Sequence, residues 1–418
     1  MVITKKYDIP FAGEFDIIVA GGGVAGVAAA VSAARENKKV LIIEKQTMLG
    51  GLATSGLITY FVPMCNGRGT QIMKGMADEF LKLATTYGFD DIAPEWKGES
   101  PFSDPPKRLK SHYDTGMFAL ALNKLVADYG VKVMYDSVIT DVVMDGRACK
   151  GLIVDNKSGK SYYSAKIIID VTGDADVLHM AGVPCVQGKN YFTSVMHSIS
   201  LESCQKAIDA NNIGKAIKWI YGGPASLTGK KHPSDKPYYC GTTGDNVSEF
   251  IIENQLYAFD KYKDTDRMSM AIVAMPGMAQ FRTIRHIIGD YTLTTNDIFK
   301  HFDDSVTALC DMDHRDFLYE IPYRCLCRSD YPNILTAGRC ISAEGYAWDV
   351  SRVIPPAIIT GQAAGKAASI AIDDRCDVSQ IQINRLQNIL DDENVMIHFD
   401  DSLVPAEPVY YEENIDHI

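Results

Sequence analysis

The sequence predicts an α/β protein, a parallel sheet extended by a β-meander and interrupted by an inserted α+β lobe. Three observations predict it. Residues 15–45, FDIIVAGGGVAGVAAAVSAARENKKVLIIEK, run from an apolar strand through a glycine turn into a helix of small residues and on to a second apolar strand. Residues 146–173, GRACKGLIVDNKSGKSYYSAKIIIDVTG, alternate strand-like runs with Gly, Asn and Ser turns, the pattern of a meander. Residues 190–325 change character, and an apolar run from 333 then leads again to a glycine and a long helix.

Taken in order, Phe15–Ala20 is a short apolar run suited to a parallel strand buried on both faces. Gly21, Gly23 and Gly26 follow at GxGxxG spacing. Gly21 permits the sharp turn, Gly23 lets backbone approach a pyrophosphate, and Gly26 allows helix and strand to touch. The helix N-terminus behind them offers free N–H groups and about half a positive charge to an anion. Asn37 stops that helix, Val40–Ile43 is the second strand, and Glu44 closes it. An acid there accepts hydrogen bonds from both ribose hydroxyls and repels a 2′-phosphate, which selects FAD or NAD over NADP. Gly50 and Gly51 let the next loop pass tightly beneath the pyrophosphate.

Met73–Tyr87 has helical spacing, and 90–106, rich in Pro, Gly, Ser and charge, is expected to be an irregular excursion of the type that covers sites. Thr115–Tyr129 predicts a helix packing Met117, Leu120, Ala121 and Leu125 along one side. Val131–Tyr135 is a third parallel strand, Ser137–Val143 starts the meander, and Ile167–Val171 returns to the sheet before Thr172, Gly173 and Asp174. Beyond 190, strands are expected at Met196–Leu201 and Met270–Met275, mixed helices and loops over 205–265, a helix at Gln280–Gly289, and a short helix capped by Thr295 or Asn296. Asn333–Ala337 is the last sheet strand, leading to Gly338. Ile354–Ile372, opened by Pro355 and Pro356, is a helix whose N-terminus again faces the site. The expected units are a discontinuous nucleotide domain, 14–189 and 326–375, a substrate lobe at 190–325 and a C-terminal extension at 376–418.

A chain of 418 residues exceeds the usual single-core size. A net charge of −12 argues against nucleic acid or an anionic membrane as the main partner. The ten cysteines follow no framework and no signal peptide precedes them, which points to a reducing cytoplasm. Cys65 is a candidate redox thiol that the lack of a second cysteine nearby speaks against, and Cys325 and Cys327 read as buried structural thiols on one face of a strand. The apolar run Ile17–Ala34 is not a membrane span, because a bilayer helix would then begin with three glycines. No metal site is expected.

Several separated strings together resemble one family, the FAD-dependent oxidoreductases related to the glutathione-reductase-2 group, which includes fumarate-reductase-like flavoproteins. They are VAGGGVAGVAAA, EKQTMLGGLAT, IIIDVTGDADV, RTIRHIIGDYTLT, the DMDH to YEIPYRCL stretch, NILTAGRCIS and SRVIPPAIITGQAAGKAA, spread over 14–375. The resemblance implies a Rossmann-like domain with non-covalently bound FAD. It implies that Gly21, Gly23 and Gly26 form the pyrophosphate turn, that Glu44 with Lys45 lies at the ribose, and that Gly51, Ala53 and Thr54 belong to the loop that runs on to the flavin. Val138 then holds the adenine through its backbone, Gly173 and Asp174 form a second phosphate-side turn, and Gly338 and Arg339 meet the ribityl chain. Arg339 departs from the pattern, since many relatives have an acid there. Ser351, Arg352 and Val353 stand where the family brings a helix N-terminus to the pyrimidine edge of the flavin, and Arg352 would stabilise the negative charge that reduction leaves near N1 and O2.

Among proton carriers, His314 is a candidate acid or base, with Asp311 and Asp313 near enough to hold its tautomer. Arg282 and Arg285, one helical turn apart, would share a face and clamp a substrate carboxylate, or bind the lobe to acids nearby. Tyr323 and Arg324 are further candidates. A single GxGxxG leaves no nicotinamide domain of the chain's own, so electrons come from the substrate or an external carrier. The leading expectation is an FAD oxidoreductase moving a hydride between flavin N5 and a small organic substrate, in either direction. The alternatives are a flavin monooxygenase and a non-catalytic electron-relay protein, and the inserted lobe speaks against the second.

Overall fold

In a computed structural model the described residues are 3–4, 6–90, 92–94, 111–226, 229–314 and 316–408, so the expected excursion at 90–106 falls almost wholly outside them. The chain begins with β1 (Phe11–Ala20), α1 (Val24–Arg35), β2 (Val40–Ile43), α2 (Met76–Thr86), α3 (Thr115–Asp128) and β3 (Lys132–Met134). The meander follows as β4 (Val138–Asp145), β5 (Ala148–Asn156) and β6 (Gly159–Asp170). β1 lies between β2 and β6 and is parallel to both, with Ile18 opposite Leu41 and Ile168. β3 adds outside β2 with Val133 opposite Ile42. Alternate residues point to opposite faces, so Ile17, Val19, Ile42 and Ile169 enter one core with α1, and Ile18, Leu41 and Ile168 enter a second with Leu152 and Val154 of the meander. Both faces being covered, the central stretches of these strands, 17–20, 40–43 and 167–169, are apolar at every position.

The buried side of α3 differs from expectation: Phe118, Ala121, Leu122 and Val126 face inward, and Leu120 is 65% exposed. The true stripe runs one residue round the helix, set by ring contacts of Phe118 with Phe61, Phe80 and Tyr113.

Next come α4 (Asp176–Met180), β7 (Cys185–Gln187), β8 (Val195–Ser200), α5 (Leu201–Asp209), β9 (Lys218–Tyr221), α6 (Gly244–Tyr262), β10 (Met270–Ala274) and β11 (Arg285–Ile287). β8 lies between β9 and β10 in an antiparallel sheet. The helix expected at Gln280–Gly289 is absent. β11 pairs with β7 instead, and Asn190 Oδ1 accepts the N–H groups of Arg282 at 2.6 Å and Thr283 at 3.0 Å, holding the preceding residues in a loop. The expected cap at Thr295 or Asn296 moves to Thr294, whose hydroxyl accepts the Asn296 N–H at 3.1 Å over a single 3₁₀ turn.

The chain ends with β12 (Ser305–Cys310), β13 (Leu318–Pro322), β14 (Ile334–Thr336), α7 (Gly345–Ser351), α8 (Ile354–Asp374) and α9 (Ile383–Asp392). β12 and β13 form a hairpin, and β14 joins β6 in parallel with Leu335 opposite Ile169. Cys325 lies in a 3₁₀ turn, Tyr323–Cys325, not on a strand with Cys327, though both thiols are buried and free. α8 is buried along most of its length and crosses α1 closely. A Cβ on Gly361 or Gly365 would lie 2.2 Å from the carbonyl oxygens of Ala25 and Ala29 respectively, so the small faces of the two helices meet.

Candidate functional site

Five parallel strands present their carboxyl ends along one edge, and the chain leaving four of them lines a single cavity of about 410 Å³. Gly21, Glu44, Val171 to Gly173 and Ala337 to Arg339 are the four contributions. A crevice at strand carboxyl ends is where open α/β sheets take ligands.

At Gly21 the backbone has φ +107°, and a Cβ would lie 2.6 Å from the Val171 carbonyl oxygen. Gly23 caps α1, and Val24 and Ala25 line the cavity with first-turn N–H groups that have no partner within the helix. Gly26 is behind the wall. A Cβ there would lie 2.0 Å from the Gly21 carbonyl oxygen, so its lack of a side chain serves the packing of helix on turn. The Gly50 N–H donates to the Gly22 carbonyl at 2.8 Å, and a Cβ on Gly51 would lie 3.2 Å from Gly23 Cα, which brings the second glycine pair directly under the first turn. Glu44 is buried, with Oε2 accepting the Gly22 N–H at 2.6 Å and Oε1 the Gln46 N–H at 2.7 Å. Lys45, Gly51 and Ala53 line the cavity, whereas Thr54 supports the loop by donating to the Leu49 carbonyl at 2.6 Å. Val138 is half exposed at the start of β4, outside the lining, beside the Ser137 N–H that donates to the Glu44 carbonyl at 3.1 Å.

Gly173 lines the cavity and Asp174 does not. Arg339 donates from Nε to the Gly173 carbonyl, from Nη2 to Asp174 at 2.6 Å and from Nη1 to the Phe281 carbonyl at 2.9 Å. An arginine after Gly338 therefore locks the second turn to the 281 loop. Beneath that turn, Asp170 is fully buried and accepts from the Thr172 N–H, the Thr172 hydroxyl and the Leu178 N–H at 2.8 to 2.9 Å. Burial outweighs these bonds and pushes its carboxyl up to about 6.

Arg352, at the C-terminus of α7, lines the cavity and pairs with Asp349 at 2.5 Å. Val353 caps α8, but Pro355 and Pro356 carry no N–H, so in that first turn Ile354 keeps the donor nearest the cap. Ser351 is buried and donates to the Trp348 carbonyl at 3.3 Å.

Arg282 also lines the cavity. Its Nη1 donates to the Gln280 carbonyl at 2.8 Å, while its Nη2 is buried with no hydrogen-bond partner among the described residues. Burial first, then the guanidinium groups of Arg352 and Arg339, push Arg282 down to about 9. That is the direction expected of a cation short of a counter-anion. Arg285 points elsewhere, donating to the Asp174 carbonyl at 3.0 Å and to Asp176 at 2.5 Å, so the two arginines form no common clamp. The helical spacing that would have aligned them does not exist.

His314 does not line the cavity, although Met312 and Asp313 do. Its ring stacks on Phe317 with centroids 4.8 Å apart, and Nδ1 is buried without a partner among the described residues. Tyr323 is buried and donates to the Val378 carbonyl at 2.6 Å, outside the cavity lining, and Arg324 pairs with Asp304 at 2.9 Å.

Sequence reasoning missed one wall. Tyr60, Trp219, Tyr221 and Met278 line it, with Trp219 Nε1 donating to Thr59 Oγ1 at 3.1 Å and the Tyr60 ring 6.3 Å from that of Trp219. Trp219 and Tyr221 share a face of β9, and their period of two was the available signal. Lys230, Lys231 and Lys261 add charge. Seven lysines and arginines line the cavity against Glu44 and Asp313, which makes it positive in a chain of net charge −12. Among the described residues no helix is long and apolar enough to cross a membrane.

A family model described as FAD dependent oxidoreductase matches residues 16–226 and 251–390. No curated protein matches the chain. Among solved structures it is similar to a geranylgeranyl bacteriochlorophyll reductase-like protein from Thermoplasma acidophilum, at 13% identity over 94% of this chain and 95% of that one, with a TM-score of 0.49. A flavoprotein/dehydrogenase from Cytophaga hutchinsonii shows 15% identity over 90% and 84%, TM-score 0.46. A p-nitrophenol 4-monooxygenase from Pseudomonas putida shows 11% over 93% and 91%, TM-score 0.48. At such scores these likenesses carry no argument about the reaction.

Proposed function

The chain belongs to the FAD-dependent oxidoreductase family, and from that premise we propose that it transfers a hydride between the flavin and a small organic anion held at Arg282. The residues present fit the cofactor. A side chain at Gly23 would enter open space at the cavity wall, where unpaired N–H groups of α1 also point. Gly21 to Val24 would hold the pyrophosphate, Glu44 the ribose, and Gly51 to Ala53 with Val353 and Ile354 the flavin. The glycine pair at 50–51 and the 351–353 corner support kinship with the fumarate-reductase-like flavoproteins.

Bound FAD supplies the two-electron donor or acceptor. Arg352, fixed by Asp349, and the N-terminal dipole of α8 would stabilise negative charge on the bound flavin. Arg282 orients the substrate anion through Nη2. Tyr60, Trp219 and Tyr221 pack on its apolar part and exclude water. The observation that carries this reading is the buried, unpartnered Nη2, because a guanidinium nitrogen left dry beside two other arginines is costly unless an anion meets it.

The test is anaerobic mixing of the oxidised and the dithionite-reduced holoenzyme with a library of carboxylates and neutral analogues, following the flavin band. Bleaching or reoxidation by an anion and not by its ester or amide is expected. Reaction with neutral compounds alone would overturn the role of Arg282, and a hydroxylated product formed only with oxygen would favour a monooxygenase.

A further inference from the structure

His301, Glu320 and His398 come from three stretches of chain, the turn before β12, the strand β13 and the segment after α9. One ligand atom of each nevertheless lies within 4.8 Å of the others. Glu320 is fully buried. Its Oε2 accepts the Phe302 N–H at 2.8 Å, and its Oε1 meets His301 Nδ1 at 2.6 Å and His398 Nδ1 at 3.0 Å. The imidazoles are 41% and 47% exposed, so the carboxylate is the floor of a site that solvent reaches from one side. We propose that this is a binding site for a zinc-class divalent cation, with His301 Nδ1, His398 Nδ1 and Glu320 as protein ligands and solvent in the fourth position.

Three features carry it. The donor set is two imidazoles and one carboxylate, which suits borderline cations and not Mg²⁺ or Ca²⁺, which prefer oxygen alone. The spacing is close to what is needed. Ligand atoms about 2.0–2.2 Å from a tetrahedral ion stand roughly 3.3–3.6 Å apart, which requires the exposed imidazoles to move about 1 Å away from Glu320 and towards each other. The surroundings are those of a supported ligand. His301 Nε2 meets Asp401 Oδ1 at 3.0 Å, the carboxylate partner that fixes the ring tautomer and leaves Nδ1 for a metal. The His301 ring stacks on Phe399 at 4.3 Å, which sets its plane.

The site fastens the end of the described chain to the hairpin. Around it, the Ala308 N–H donates to the Met396 carbonyl and Ser305 Oγ to the Ile397 carbonyl, both at 2.6 Å. The ion therefore stabilises the docking of 395–401 on β12 and β13 and takes no part in the flavin chemistry. No motif spacing marks these ligands in the sequence, since Glu320 lies 19 residues from His301 and 78 from His398, and the expectation of no metal site did not consider them.

The experiment uses the FAD-loaded protein stripped with chelator, titrated with Zn²⁺ and with Mg²⁺ by calorimetry and thermal unfolding. One Zn²⁺ per chain at micromolar affinity or tighter, a raised unfolding midpoint and no response to Mg²⁺ are expected. His398→Ala should abolish that binding with the flavin spectrum and FAD content unchanged. His398→Gln, which keeps a donor for Glu320 but no imidazole, should do the same. Asp401→Asn should weaken it about tenfold or more. Zinc binding that is absent in the folded holoenzyme, or equal in wild type and both His398 variants, would overturn the proposal.

Discussion

Glu44 Oε2 accepts the Gly22 N–H at 2.6 Å while its Oε1 accepts the Gln46 N–H at 2.7 Å, so the acid at the end of β2 braces the glycine turn at the end of β1. The carboxylate shapes the glycine turn, and under the proposed function it would also face the ribose. Glu44→Gln keeps one acceptor but sets an amide N–H₂ against a backbone N–H. Losing one charge-assisted bond costs about 1.5–3 kcal/mol, so FAD dissociation should rise about 10- to 100-fold, and Glu44→Ala should retain still less. Fluorescence of released FAD measures this, and wild-type retention in both variants would remove Glu44 from the site.

Arg282→Met removes a buried cation whose Nη2 has no partner among the described residues, so FAD content should hold and thermal stability should not fall. The KM for an anionic substrate should rise about a hundredfold, the loss of one charged hydrogen bond. The pH dependence has a definite sign. Arg282 is pushed down to about 9, so anion binding is full below that value and declines as pH rises through it. The methionine variant should show no such limb.

The parallel sheet was legible because strands covered on both faces leave an unbroken apolar run, as Val40–Ile43 does, with boundaries that match the structure. The glycine turn was legible because it is local, with Gly21, Gly23 and Gly26 following directly on β1. Arg282 and Arg285 misled because Phe281, Ile284 and Ile287 recur every third residue, as on a helix face, while the force that decides the backbone there is Asn190, far away in sequence. Lys230 and Lys261 could not be placed at the cavity from spacing, because tertiary packing alone brings their segments to it.

Asp170 offers a stability test. Its carboxyl is raised from an ordinary 3.8 to about 6 by burial, so the protonated form favours the fold. The stability it adds is full below 3.8 and is lost as pH rises to about 6, a total of ~3 kcal/mol. The difference in unfolding free energy between wild type and Asp170→Asn should therefore fall by about that amount from pH 4 to pH 7 and stay level above it. Urea titrations across this range measure it, and a difference independent of pH would contradict the buried, raised carboxyl.

Tyr323→Phe separates structure from catalysis. The hydroxyl bonds the Val378 carbonyl and does not line the cavity, so its loss should cost about 1 kcal/mol of stability and leave kcat and KM unchanged. A tenfold fall in kcat with intact FAD would return Tyr323 to the reaction.

Gly361 and Gly365 permit the crossing of α1 and α8, and they differ in their distance from the cavity. A methyl at either would lie 2.2 Å from a carbonyl oxygen of α1, backbone that yields only if the helices separate. Each alanine should cost about 1–3 kcal/mol. At the 361 end the strain also has a route to the cofactor, since Thr360 Oγ1 accepts the Gly338 N–H at 3.0 Å and the N-termini of both helices line the cavity. Gly361→Ala should thus lower both unfolding midpoint and FAD affinity, whereas Gly365→Ala, a turn deeper in the helix pair, should lower the midpoint alone. Equal FAD affinities in the two variants would show that the crossing supports the fold without positioning the site.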